Sequence, residues 1–252
     1  MKRTTPLLLI LLFSGVILTS CKEAEEEVAN NIKLNIHMLH YVGNDEAEYD
    51  TIRYTNALGN AYSVVRLQYF ISDFRLQKTD GTEVFIDEAH YVDASIPESL
   101  VYTPGEKIPE GNYESISFIF GLSAEKNTNG RFPNPPENNM EWPPALGSGY
   151  HYMKLEGKID SSGVISNYQA HTGPTNGNQN FIQVDLSQAA FEAKGSEKTI
   201  FIKMNINNWW ENPNTFDLNQ MSGIMGNQQI QEKLRENGVD VFTFEPIITL
   251  SK

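Results

Sequence analysis

The chain has 252 residues, 40% of them hydrophobic and 11% aromatic, which is enough apolar material for one sizeable core. Its net charge of −13, from 19 Lys and Arg against 32 Asp and Glu, argues against nucleic acid as a partner, because phosphate binding needs a basic face. A single cysteine excludes an internal disulfide and any multi-cysteine metal cluster.

Residues 1–20 read as a secretory signal peptide. Lys2 and Arg3 give the positive start, and the apolar run Leu7 to Leu18 is too short to span a bilayer comfortably. The run ends in Leu18-Thr19-Ser20-Cys21, which resembles a lipoprotein cleavage motif and marks Cys21 for acylation with palmitate-type chains. Residues 21–31 form an acidic tether. Its Lys22-Glu23-Ala24-Glu25-Glu26-Glu27 resembles the surface-export signal of Bacteroidetes lipoproteins. The expected location is therefore the outer membrane, held in the lipid through Cys21 and facing outward or toward the periplasm.

From residue 32 to 252 the pattern is that of one domain with mostly period-two alternation. Ile32, Leu34, Ile36, Met38 and His40 share one face of a first strand. Val65, Leu67, Tyr69 and Ile71 mark a second, Val84 and Ile86 a third, Ile116, Phe118 and Phe120 a fourth, and Met153 and Leu155 a fifth. Further strands are expected near Val164–Ala170, Phe181–Leu186 and Thr199–Ile206. One short C-terminal helix is expected from Gln228 to Asn237, with Ile230 and Leu234 on one face and Gly238 as a left-handed cap. The fold class that follows is all-β, an antiparallel β-sandwich with long loops. The longest loop, residues 122–148, is rich in Pro and Asn, and Met140 and Trp142 near its end call for a packed rather than a free segment.

Five histidines are available: His37, His40, His90, His151 and His171. With no thiols, imidazole is the natural ligand for copper or zinc. His37 and His40 stand an odd number of residues apart, so on a strand they point to opposite faces and cannot chelate together. Alternation places His40 on the face of Met38, and His151 on the face of Met153 and Leu155, where each needs a polar partner. A satisfied core histidine is the competing reading for either one. His171, in Ala170-His171-Thr172-Gly173-Pro174, sits where a strand runs into a loop and ligands are commonly presented. The sequence carries no Gly-x-Ser-x-Gly, no His-Glu-x-x-His and no phosphate-cradling glycine loop, so a non-enzymatic role is expected. Asp45-Glu46-Ala47-Glu48-Tyr49-Asp50 lacks the spacing of a calcium loop and reads as a solvated hairpin. Asn207-Asn208-Trp209-Trp210-Glu211 has the composition of a sugar-stacking platform, with plugging of the sandwich core as the other reading.

Several segments together carry a resemblance. Tyr62 to Leu76, Met140-Glu141-Trp142, Gly149-Tyr150-His151-Tyr152-Met153-Lys154-Leu155-Glu156-Gly157 and His171-Thr172-Gly173 are similar in order and spacing to the MbnP-like domain family, named for a methanobactin-associated copper-binding protein. The resemblance spans nearly all of residues 32–250. It implies a secreted or surface β-sandwich. In copper-binding relatives the metal is held by histidines and by a tryptophan oxidised to kynurenine, the oxidation being performed by a partner di-haem enzyme of the cytochrome c peroxidase type. Carried onto this chain, the resemblance makes Trp142 the residue for modification, with His171 and then His151 as copper ligands; His40 is added from the face argument alone. The competing function is a metal-free glycan- or protein-binding module that uses Trp209 and Trp210.

Overall fold

The computed structural model describes residues 30–221 and 223–245. The signal peptide, Cys21 and most of the acidic tether therefore lie outside the described residues. Two facing sheets enclose the core. In chain order the strands are β1 Asn31–Val42, β2 Asp45–Glu46, β3 Tyr54–Thr55, β4 Ala61–Tyr62, β5 Arg66–Lys78, β6 Glu83–Asp93, β7 Val101–Tyr102 and β8 Ile108–Pro109. They continue with β9 Gly111–Phe120, β10 Met153–Ser161, β11 Val164–Thr172, β12 Ile182–Leu186, β13 Phe191–Ala193, β14 Glu197–Asn205 and β15 Phe242–Glu245; the helix α1 is Gln228–Asn237.

The smaller sheet runs β15-β14-β1-β2, with β7 and β8 also on β1; the larger runs β12-β9-β5-β10-β4-β3, with β11 on β10, β13 on β9 and β6 on β5. Alternating apolar residues build the interior between them. Ile32, Leu34, Ile36 and Met38 of β1 meet Leu67, Tyr69, Ile71, Phe118, Phe120, Met153 and Leu155 of the larger sheet in one buried cluster. Between the named strands pairing is antiparallel except for β1 and β14, which run parallel from Lys33 opposite Glu197 to Tyr41 opposite Asn205. That pair departs from the all-antiparallel expectation. The two strands are separated by the whole larger sheet in sequence, so no hairpin sets their direction.

The expected strands and α1 are present, with two local corrections. Val65 precedes β5 and is exposed rather than core-facing. Gly238 is right-handed, with φ −66°, and leads into a further short turn of helix over Gly238–Asp240. It is glycine for lack of space: a Cβ there would stand 2.2 Å from Ile182 Cδ1 and 2.8 Å from the Trp209 ring. Asn227 caps α1 at its other end, accepting from the Gln229 and Ile230 amides. Asp45 and Glu46 form the short β2 and are exposed, in keeping with a solvated hairpin. Among the described residues no helix is long and apolar enough to cross a membrane.

Candidate metal centre

The outer face of the larger sheet, where β11 ends, carries two histidines and a tryptophan in contact. The 122–148 loop brings the tryptophan there, and its asparagines do the holding. Asn127 Oδ1 accepts from the Tyr150 amide at 2.7 Å, and Asn129 Oδ1 from the Gly149 amide at 2.6 Å. The loop's end then folds back on 149–151. The Trp142 amide donates to Gly149 O at 2.8 Å and the His151 amide to Met140 O at 2.6 Å. Lys154 Nζ, from β10, donates to Asn139 O at 2.7 Å. At the loop's start, Lys126 is ion-paired with Asp73 and Asp87.

Trp142 is thereby buried, its ring 4.7 Å from that of His151 and edge-on to it. The His151 ring in turn lies 5.1 Å from that of His171, again edge-on. On the far side Trp142 lies on Gly173, where a Cβ would meet the indole at 2.5 Å. Two side-chain amides pin that glycine. Gln231 of α1 accepts from its amide at 3.2 Å and donates to His171 O at 2.8 Å, while Asn180 Nδ2 donates to Gly173 O at 2.8 Å.

Each imidazole has one nitrogen committed. Met140 O can only accept, so the His151 Nδ1 at 2.9 Å from it carries the proton. His171 Nε2 lies 2.8 Å from Glu156 Oε1, and an ionised carboxylate likewise takes that N–H. The nitrogens not so engaged are Nε2 of His151 and Nδ1 of His171. Burial, with the nearby Lys154 ammonium, pushes the His151 pKa down to about 3, so its ring is neutral at physiological pH. Glu156 is held below the usual carboxylate range by the His171 hydrogen bond, then by Arg66. Burial also lowers the Lys154 pKa, with Arg66 adding to it.

This donor set suits copper. Both rings are oriented by a carbonyl or carboxylate on the opposite nitrogen, the arrangement usual for metal-binding histidine. The indole Nε1 of Trp142 is buried and has no hydrogen-bond partner among the described residues, a state it shares with Trp209 and Trp210. Among the described residues no three His, Cys, Asp or Glu side chains converge as in a metal cage, so the protein offers two imidazoles beside the tryptophan. A cleft of about 450 Å³ opens beside His171, bordered by Asn167, Gln169, Met221 and Met225.

The structure thus brings Trp142, His151 and His171 together and leaves His40 out. His40 is buried between the sheets, its Nε2 2.9 Å from Tyr69 Oη and its Nδ1 3.1 Å from Tyr49 Oη. Both nitrogens are engaged, and Tyr69 stands on the inner face of the sheet whose outer face carries His171. His40 is a satisfied core histidine. His151 corrects the alternation argument: it precedes β10, and its ring meets His171 on the face opposite Met153 and Leu155. His37 tilts against Phe201, and His90 stacks on Tyr102 with Nε2 on Ser99 O at 2.7 Å.

Trp209 and Trp210 are both fully buried, against Phe120 and against Tyr62 and Tyr168 respectively. Neither presents a ring to a sugar, which overturns the stacking platform. Sequence reasoning missed Arg66, Glu156, Asn180 and Gln231. Glu156 alternates with Leu155 and so faces outward, but its partners depend on the register across three strands, which no local pattern carries.

A family model described as MbnP matches residues 31–226. The solved structure of MbnP from Methylosinus trichosporium superposes with a TM-score of 0.57 at 16% identity, over 79% of this chain and 83% of that one. At that identity the likeness is one of fold. None of the curated proteins matches the sequence.

Proposed function

The chain belongs to the MbnP family, and on that premise we propose that it is a non-enzymatic envelope lipoprotein that binds copper as cargo through His151 and His171 beside Trp142. The observation that carries the reading is the pair of edge-on imidazoles, each with one nitrogen fixed, by Met140 O and by Glu156, and the other left for a ligand. Neutral imidazole is a good copper ligand, and the Irving–Williams order favours copper over other divalent first-row metals at such a site. The loop's role is to hold Trp142 against the histidine pair. Oxidation to kynurenine by a di-haem partner enzyme would cleave the indole C2–C3 bond with two oxygen atoms from dioxygen or peroxide; hydrolysis of the resulting N-formyl group would release C2 as formate and leave the indole nitrogen as an arylamine. Storage, uptake or delivery of copper at the cell surface, with Cys21 in the outer-membrane lipid, is the role that fits.

Copper titration of single variants tests the ligand pair. His171→Ala and His151→Ala should each lower copper affinity at least about tenfold, since each removes one of two imidazoles, while the fold is kept. An affinity unchanged in either variant removes that histidine from the site. Mass spectrometry of peptides containing Trp142, from protein isolated with and without the di-haem partner, tests the modification. Unmodified tryptophan in both would contradict it.

A further inference from the structure

Three adjacent strands each contribute one charged or polar side chain to a line that ends at the site. Arg66 begins β5, Glu156 is its register partner on β10, and His171 lies one diagonal step further on β11. Arg66 Nη1 is 3.0 Å from both carboxylate oxygens of Glu156, and Glu156 Oε1 is 2.8 Å from His171 Nε2. The line runs from solvent inward: the side chain of Arg66 is 50% exposed, that of Glu156 16% and that of His171 13%. An exposed ion pair by itself contributes little to stability. This carboxylate is different in that its inner oxygen is committed to an imidazole.

We propose that Glu156 and Arg66 are positioning residues that set the tautomer of His171. Arg66 fixes the carboxylate on the sheet surface. The carboxylate takes the Nε2–H, and the lone pair is thereby kept on Nδ1. A neutral imidazole without this partner divides its proton between the two nitrogens, so the bare nitrogen would be presented only part of the time. His151 gets the same service from a backbone carbonyl that no substitution removes. His171 is thus the ligand whose presentation depends on side chains, and Glu156 and Arg66 are where copper affinity can be altered without touching a ligand. The consequence for copper rests on the proposed function; the tautomer itself is a property of the metal-free protein.

The experiment uses the metal-free, nitrogen-15-labelled protein and reads ring-nitrogen shifts in a two-bond proton–nitrogen correlation. The wild type should show His171 protonated on Nε2 alone. Glu156→Leu should give a mixture of tautomers, and copper affinity about 10–100-fold weaker. Glu156→Gln, whose amide oxygen still accepts, should restore the Nε2–H form. Arg66→Met, which keeps the carboxylate but frees it to move, should also show both forms, a readout available if Glu156→Leu does not fold. A His171 tautomer identical to wild type in both Glu156→Leu and Arg66→Met would overturn the proposal. Tautomers that shift as expected in a protein whose wild type takes up no copper would refute the copper reading alone. Copper binding with an indifferent tautomer would do the reverse.

Discussion

Gly173 has no side chain because the Trp142 indole occupies the space where one would be. Its amide and carbonyl are bound by Gln231 and Asn180, so the backbone cannot retreat to admit a methyl group. Gly173→Ala should therefore push the indole away from His151 and cost about 1–3 kcal/mol in stability, the range for overpacking. Equilibrium denaturation measures the cost, and tryptophan fluorescence reports the indole; unchanged values in both would mean that the contact is slack. Residue-level reading from sequence worked where one position decides the matter. His171 is recognisable at a strand end, and His37 and His40 are separable by parity. It failed at His151, because alternation holds only within a strand and His151 stands before β10 begins. It also missed Glu156, whose role comes from its neighbours on β5 and β11.

The 122–148 loop acts as an element although it contains only two short turns of helix, Glu137–Met140 and Pro144–Leu146. Its prolines and asparagines made its irregularity legible, and Met140 and Trp142 its docking; its anchors were not. Lys126 sits between Asp73 and Asp87, and Asp73 is the bulged residue of β5, with φ +57°. Removing the ammonium leaves the Asp73 carboxylate, whose side chain is only 11% exposed, without its counter-charge. Lys126→Met should cost about 1–3 kcal/mol, the penalty for leaving a buried polar group without its partner. Hydrogen exchange should quicken across residues 122–148 before it does so in β5 or β9; uniform exchange would show that the loop does not depend on this anchor. The helix α1 extends beyond the stretch matched by the family model, yet its Gln231 holds the strand end that carries His171. Its boundaries were readable from caps and periodicity. Its purpose was not, since a fully buried glutamine at a helix position looks like any polar face residue until its partners are known.

At the scale of the molecule, one sandwich serves two kinds of histidine: His40 inside, and His151 with His171 on the outer face of the larger sheet. The sandwich itself was legible in the alternation of β1, β5, β9 and β10. The parallel pairing of β1 with β14 was not, because it joins segments far apart in the chain. Burial pushes the His40 pKa down to about 4, with His37 adding to it, against an ordinary value of 6.5. Above pH 6.5 the ring is neutral in both folded and unfolded chains. Between pH 6.5 and 4 the unfolded chain binds a proton that the folded one refuses, so stability falls as pH is lowered through that window. The melting temperature should decline from pH 7 to pH 5, and less steeply in His40→Gln; equal slopes would remove His40 as a contributor. Whether the outer-face pair holds copper is read from the metal content of the protein purified from its native envelope without a metal-binding tag. Near-stoichiometric copper is expected, lost in the His151→Ala, His171→Ala double variant. A wild-type protein that is isolated without copper and takes up none when it is added would contradict it.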